Sequence, residues 1–497
     1  MTAADPVPVL APPLRERLQA VEYTVDAVLE RITPAGQAAL GRNSTVAATR
    51  ALAGARDPQA TLITLWLLQH SVSAAEAADA LPGLVEPLLA TGLLHAEHGR
   101  ISAAVDVRPY GSDDPGGPTD GYVVADLSPG LDSTPPLMRP DYVLGISPAS
   151  TQLAQITMRR PVAAALDLGA GCGVQSLHLA RHADRVVATD LNPRANALAA
   201  WTFALSGTTV DQRLGSLYEP VADEQFDLIV TNPPYVMAPP RADGQRLTYR
   251  EGDHSGDGLV EAIVRGCADR LSPGGTLQVL GNWAILDPHG WVERLRSWVP
   301  VGCDALVMER ERLDPYEYIE IWLADAGLLG HPDYLGHYHE WLDYFERLGI
   351  ESVGMGWFTV HRSGATVPDL RVEQWAYAVQ QPVGPAFADQ RQAVADLREL
   401  PLWDTRWLVA EGVVQETLGE PGAADPNHVV LRDRRGFCRA AELDTAAAGV
   451  VGACDGDLTL GELSDAVAGL LDLDPGALRA DLEPVLRTLI ADSLLVH

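Results

Sequence analysis

A chain of 497 residues is long enough for two to four domains, and a composition 47% hydrophobic and 21% charged excludes a disordered polymer. No uninterrupted apolar stretch approaches the thickness of a bilayer, and the first 13 residues lack a basic segment ahead of an apolar core, which argues against a membrane span or a secretory leader. The net charge of −31 counts against an enzyme that draws its affinity from nucleic-acid phosphates, except where a local basic patch acts within a Debye length of about 8 Å.

The basic residues are all arginine; the chain has no lysine. Five scattered cysteines (Cys172, Cys267, Cys303, Cys438, Cys454) are odd in number and without metal-ligand spacing. No metal is expected, and a reduced cytoplasm is the natural home.

Residues 1–105 read as a helical, winged-helix-like domain. Apolar residues recur at helical spacing over 15–30, 47–52 and 58–70. A helix pair at 71–80 and 84–91, followed by an extended 93–96, is the layout of a winged helix-turn-helix. Its second helix carries Glu86 and no arginine, so substrate docking or structural support is expected rather than reading of a DNA groove. Residues 106–139 read as a linker. Extended segments at 101–109 and 121–127 flank a glycine- and proline-rich loop at 111–118, and 128–140 is rich in proline.

The central domain is expected over 140–365. Ser147-Pro148 has the form of a helix N-cap followed by proline at the first helical position, opening a helix to about residue 158. Strands and helices then alternate, the mark of a parallel sheet in an α/β domain. Strands are expected at 162–168, 185–189, 226–231 and 276–280, with extended segments at 305–310 and 352–362. Helices are expected at 174–182, 193–206, 258–271 and 288–298. An aromatic insertion near 311–350 contains Tyr316, Tyr318, Trp322, Tyr334, Tyr338, Trp341, Tyr344 and Phe345. At helical spacing these read as core or interface, the alternative being a lid over the site.

Residues 366–497 return to a helical pattern, with helices at 459–471 and 475–492 and an apolar tail at 494–496. This reads as a second helical or winged-helix-like domain, strongly acidic. The arginine-rich run from Arg432 to Arg439 reads as a solvated turn balancing carboxylates, with phosphate contact the minority reading.

The chemistry gathers at two turns. The apolar strand from Phe226 breaks off at Asn232-Pro233-Pro234-Tyr235. Asn232 offers a side-chain carbonyl and Pro233 a backbone carbonyl with no N–H beside it, and two such acceptors can grip both hydrogens of an –NH2 group. Tyr235 offers a flat ring. Taken alone the run is equally a tight turn. Upstream, Gly169-Ala170-Gly171-Cys172-Gly173 lets backbone approach a ligand, and Asp190, ending the next strand, can bind ribose hydroxyls. The Gly-x-Gly-x-Gly spacing departs from the dinucleotide fingerprint, so pyrophosphate is the weaker guess. Cys172 reads as a packing residue.

Together these motifs resemble the class I S-adenosylmethionine-dependent methyltransferases, in the amino-methylating branch with an Asn-Pro-Pro-Tyr site. That branch includes release-factor glutamine, ribosomal RNA and DNA adenine methyltransferases. Residues 166–173 match the first cofactor motif, Asp190-Leu191-Asn192-Pro193 the ribose motif, and 215–220 the segment along the adenine. Gly256-Asp257-Gly258-Leu259 and Pro273-Gly274-Gly275 also resemble the release-factor enzymes. The likeness covers residues 140–310, about a third of the chain.

The resemblance implies a Rossmann-like, seven-stranded methyltransferase domain flanked by the two helical or winged-helix-like domains. It implies S-adenosylmethionine as cofactor and no metal. Asp167 with Gly169, Ala170, Gly171 and Gly173 would hold the methionine end, Asp190 and Leu191 the ribose, and Ser216 and Leu217 the adenine. Asn232, beside the cofactor, and Pro233 would accept the substrate N–H bonds while Tyr235 stacks on its plane. The substrate implied is a macromolecule, either a protein glutamine or a nucleobase. Acidity tilts the choice towards protein, whereas Arg241, Arg246, Arg250 and the Arg432–Arg439 cluster leave RNA open. A small metabolite, or a cofactor-binding scaffold or regulator, are the competing readings.

Overall fold

The structure, a computed structural model, describes residues 7–113, 117–133, 139–240, 255–421 and 427–497. Arg241, Arg246 and Arg250 lie outside the described residues. The chain divides into two compact units, residues 1–154 with 161–375, and residues 155–160 with 376–497.

The first unit is built on one sheet. Its strands are β1 (Val162–Leu168), β2 (Ala183–Asp190), β3 (Asp211–Leu214), β4 (Phe226–Thr231), β5 (Leu271–Ile285), β6 (Asp304–Leu313), β7 (Ser352–His361) and β8 (Leu370–Gln374). They lie in the order β3-β2-β1-β4-β5-β7-β6-β8. The first five of these run parallel, β7 is antiparallel to both its neighbours, and β8 is parallel to β6.

Strands covered on both faces need continuous apolar runs, and Phe226, Leu228, Ile229 and Val230 of β4 are all buried. From β1 the chain winds outwards through β2 to β3, then returns to place β4 on the other side of β1. The carboxyl ends of β1 and β4 therefore flank the point where the winding reverses, which is where open α/β sheets bind ligands. Thr231 Oγ1 ties those two ends together by donating to the Leu168 carbonyl at 2.7 Å.

The connecting helices are α1 (Pro148–Ile156), α2 (Val174–Leu179), α3 (Pro193–Ser206), α4 (Gly258–Gly266), α5 (Trp291–Arg296), α6 (Pro315–Asp325) and α7 (Tyr334–Leu348). Ser147 Oγ accepts the Ser150 N–H at 3.1 Å ahead of Pro148, the cap expected for α1. Asn192 caps α3 through the Arg194 N–H at 2.9 Å, and Gly207 ends that helix at φ +68°.

Several expectations give way. Among the described residues eight strands replace the expected seven, and the eighth lies past the boundary expected at 365. Leu370 and Val372 alternate with Arg371 and Glu373, and the apolar pair packs on the core beneath the sheet. The edge strand β3 was unforeseen because Asp211-Gln212-Arg213 has no apolar run. The segment expected as a linker pairs into a hairpin, Asp106–Ser112 with Thr119–Ala125. That hairpin lies on α3, where Thr202 Oγ1 accepts the Val124 N–H at 2.9 Å and Ser206 Oγ the Tyr122 N–H at 3.0 Å. One apolar core runs from Val7 to Leu205, so the segment before residue 139 shares a unit with the sheet.

Upstream, helices Val7–Ala20 and Val25–Leu40 divide where one was expected over 15–30, with Glu22 at φ +53° between them. Ser73 and Glu76 form a capping box on Ala74–Ala80, and Val72–Ser73, Arg100–Ala103 and Leu94–Glu97 make a three-stranded sheet.

The second unit contains helices Gly384–Glu399, Thr445–Gly452, Leu460–Leu471 and Pro475–Ala491. It also holds an antiparallel sheet of Val413–Leu418, His428–Asp433 and Ala440–Leu443, strands that the expected helical pattern did not place. Its arginines face acids: Arg432 meets Glu416 at 3.0 Å, Arg435 meets Asp433 at 3.4 Å, and the buried Arg439 lies 3.6 Å from Asp492. Among the described residues no helix is long and apolar enough to cross a membrane.

Candidate active site

The carboxyl ends of β1, β2 and β4 open on a cavity of about 320 Å³. Asp167, Gly169, Ala170 and Gly171 line it from the end of β1, and Asp190 and Leu191 from the end of β2. Ser216 and Leu217 reach it from the loop after β3, and Asn232 and Pro233 from the break after β4. Residues separated by up to 66 positions in sequence thus share one wall.

Gly173 and Tyr235 are not part of that wall. A Cβ at Gly173, which sits at φ +82°, would fall 2.6 Å from the Phe203 ring, so close packing against α3 demands glycine there. Tyr235 stands edge-on to Trp322 of α6, ring centres 6.3 Å apart and planes at 72°. Burial, with a smaller push from Asp325, raises its phenol to about 12.

Sequence reading missed the segment Tyr142-Val143-Leu144-Gly145, which lines the cavity beside Gln175 and Ile263. A short apolar segment between the proline-rich stretch and the first helix of the central domain carries no local sign of such a role. Leu259 also lines the cavity, and the Gly256-Asp257-Gly258-Leu259 run was the signal for it. Asp257 itself holds the Ala284 N–H at 2.7 Å and takes a two-pronged pair from Arg294 at 2.7 and 2.8 Å, so it anchors the start of α4.

Gly169 and Gly171 have φ of +75° and +56°, and a Cβ at either would meet nothing within 4 Å. The turn needs glycine for its backbone conformation, and it leaves open space beside it. The Gly171 N–H donates to Asp190 Oδ2 at 2.8 Å and the Asn192 N–H to Oδ1 at 2.8 Å, which fixes that carboxylate across the cavity. Burial raises the Asp190 pKa against those two bonds.

Asp167 is 1% exposed and accepts a hydrogen bond from Ser176 Oγ at 2.7 Å. Burial pushes its carboxyl up to about 7; the serine bond opposes this, and the charge of Asp190 adds to it. A buried carboxylate whose charged neighbour is a second acid attracts a cation. The Cys172 thiol is driven by burial to about 11, as fits a packing residue.

Asn232 Oδ1 is shut from solvent and has no hydrogen-bond partner. A buried acceptor without a donor is costly and uncommon in folded proteins. The backbone beyond it is held from outside the motif. Tyr318 of α6 accepts the Met237 N–H at 3.0 Å and the Asn282 amide at 2.8 Å, and burial keeps its phenol protonated. Tyr318→Phe leaves both buried donors unpaired. We expect stability to fall by about 1–3 kcal/mol, with faster amide exchange at Met237 in hydrogen-exchange mass spectrometry.

Residues 145–289 match the methyltransferase small domain. That match takes in 145 of the chain's 497 residues. Ahead of it, residues 20–104 match a domain of unknown function, DUF7059.

Over 135 residues the chain is 42% identical to a release factor glutamine methyltransferase of Geobacter sulfurreducens, a match covering 24% of this chain and 46% of that protein. It is 33% identical over 147 residues to a ribosomal protein uL3 glutamine methyltransferase of Bradyrhizobium diazoefficiens, covering 27% and 46%. It is 31% identical over 135 residues to a ribosomal RNA small subunit methyltransferase C of Sodalis glossinidius, covering 27% and 34%. The chain thus spans less than half the length of these curated relatives. Each match covers about a quarter of this chain.

Proposed function

We propose that this chain transfers a methyl group from S-adenosylmethionine to a planar NH2 nitrogen on a macromolecule, either a protein glutamine amide or a nucleobase. The observation that carries this reading is the partnerless Asn232 Oδ1, set in one cavity with the glycine turn and two buried acids. The named relatives supply both substrate classes, glutamine side chains and ribosomal RNA.

The residues fit the cofactor. Asp167, buried beside another acid, would take its ammonium group, and the open turn at Gly169–Gly171 the rest of the methionine end. Asp190 would take the ribose hydroxyls through its remaining lone pairs, with Ser216 and Leu217 along the adenine. When bound, S-adenosylmethionine supplies an electrophilic methyl group on a sulfonium.

The chain's own residues address the harder half of the reaction. An amide or aromatic amine is a poor nucleophile because its lone pair is delocalised. Asn232 Oδ1, reached directly or after a half-turn of the amide, and the Pro233 carbonyl accept the two N–H bonds and draw the nitrogen towards tetrahedral geometry. They orient its lone pair and meet the positive charge that develops on it. No base is needed before attack. Tyr235, braced by Trp322, offers its neutral ring to the substrate plane.

In this reading the segment 72–103 is a winged-helix arrangement that serves docking or support, since the helix at 85–90 has no arginine to meet phosphate. Titration calorimetry with S-adenosylmethionine, followed by transfer of label from the cofactor into extract of a strain lacking the protein, tests the whole. Absence of cofactor binding would end the proposal, and label in protein or in nucleic acid assigns the substrate class. Asp190→Ala should weaken the cofactor about tenfold or more by the same calorimetry; unchanged affinity would remove Asp190 from the ribose role.

A further inference from the structure

Helices α6 and α7 form an insertion between β6 and β7 whose two faces differ. The inner face buries Tyr318, Ile319, Leu323, Trp341, Tyr344 and Phe345 against Val236 and Met237, just beyond the Asn232 motif. The outer face is apolar and acidic together. Tyr316 is 58% exposed, Ile321 48%, and Leu329 and Leu335 66% each. Between Asp314 and Glu346 the chain has eight carboxylates, all exposed, and no arginine or lysine. Large exposed apolar side chains on one insertion mark an interaction surface, and the carboxylates around them select its partner.

A tyrosine cluster stands at the centre of that face. Tyr338 Oη donates to Glu320 Oε1 at 3.1 Å, joining the two helices. The Tyr334 and Tyr338 rings meet edge to face at 5.9 Å and 61°. Burial, Glu320, Tyr334 and Tyr316 together raise the Tyr338 phenol to about 12. Exposed aromatic faces beside a carboxylate are what a guanidinium or ammonium group seeks, gaining cation–π and charge-assisted contacts at once. A polyanion is repelled by the same eight charges over any distance within about 8 Å.

We infer that the outer face of α6 and α7 docks a basic segment of a protein, with Tyr316, Tyr334, Tyr338 and Glu320 receiving one of its cationic side chains. The inference deepens the methyl-transfer reading by naming the partner as protein, and it rests on that reading only for what the docked segment is delivered to. Trp322 of the same helix braces Tyr235, so this face belongs to the insertion that packs on the chain just beyond Asn232.

The absence of lysine makes the test direct. Carbodiimide coupling joins carboxylates to lysine amines, and within this chain it finds no lysine to couple. The probe is a twenty-residue peptide of alternating arginine, lysine and glycine with a central glutamine, and the control is a single-stranded RNA of equal length. We expect cross-links concentrated within residues 314–346 by mass spectrometry. We also expect peptide affinity, read by fluorescence anisotropy, to fall about tenfold or more in Tyr316→Ala/Glu320→Gln and in the surface variant Glu317→Arg/Asp325→Arg.

Both variants should keep the wild-type melting temperature and wild-type S-adenosylmethionine affinity. Cross-links spread evenly over the chain, undiminished binding in both variants, or RNA binding tighter than the peptide would each overturn the docking surface. Loss of peptide binding with cofactor affinity intact supports docking whatever becomes of the chemistry. Failure of the wild type to bind cofactor would sink the methyl-transfer reading and leave the docking result standing.

Discussion

Asparagine in place of Asp167 is expected to stabilise the cofactor-free protein at pH 8 and to remove most of its affinity for S-adenosylmethionine. The carboxyl titrates near 7 in the folded chain because it is buried, against roughly 4 when unfolded. Below about pH 4 it is protonated in both states and contributes no pH-dependent cost. As pH rises from there the unfolded state sheds the proton first, so the folded state loses ground until about pH 7 and regains none above it. A shift of about three units corresponds to a penalty of about 2–4 kcal/mol.

Asparagine still accepts the Ser176 hydroxyl and carries no charge to bury, so melting temperature in the variant should exceed wild type clearly at pH 8 and by less at pH 5. The cofactor result runs the other way. An ammonium group would lose its countercharge, and affinity should fall about a hundredfold. Wild-type affinity should itself decline below pH 7, by up to about tenfold per pH unit, whereas the variant's should be flat. A variant that binds cofactor as tightly as wild type would take Asp167 out of the site.

What could be read in advance follows from where the signal lies. β1, α3 and β4 fall on the residues expected for them because each is closed by its own chemistry. A glycine turn ends β1, Asn192, Pro193 and Gly207 bracket α3, and a double proline stops β4. The cavity residues foreseen at those three ends were legible for the same reason. Features made by distant partners were not. The hairpin at 106–125 is a strand pair because Thr202 and Ser206, some 80 positions on, satisfy its edge.

Tyr142–Gly145 becomes cavity wall only once β1 and β2 are in place. Tyr318 reads as one aromatic among eight until its hydroxyl is seen between Met237 and Asn282. Gly173 was legible as a glycine that matters, but its reason is the Phe203 ring, which no spacing rule reveals. Short polar strands such as β3, and β8 with its single pair of apolar residues, lack the run that marks a buried strand.

Asn232→Ala should cut methyl transfer by about a hundredfold or more, as loss of a preorganised group at a developing charge does elsewhere, while cofactor affinity stays within a few-fold. The two expectations separate because the residues proposed for the cofactor, Asp167, Asp190 and the glycine turn, are held by Ser176, Gly171 and Asn192 and owe nothing to the Asn232 side chain. Removing an acceptor that has no donor takes away an unpaired buried group, so the variant should melt no lower than wild type. A fall in turnover then cannot be assigned to unfolding.

Asn232→Asp sharpens the point, since a carboxylate keeps the acceptor oxygens but loses the amide's neutral charge. Activity between wild type and the alanine variant would locate the effect in N–H acceptance itself. The measurement is single-turnover label transfer at saturating cofactor, with calorimetry alongside. Turnover unchanged in Asn232→Ala would mean that the orphaned oxygen receives no substrate, and the nitrogen would have to be activated by some group other than the one at the end of β4.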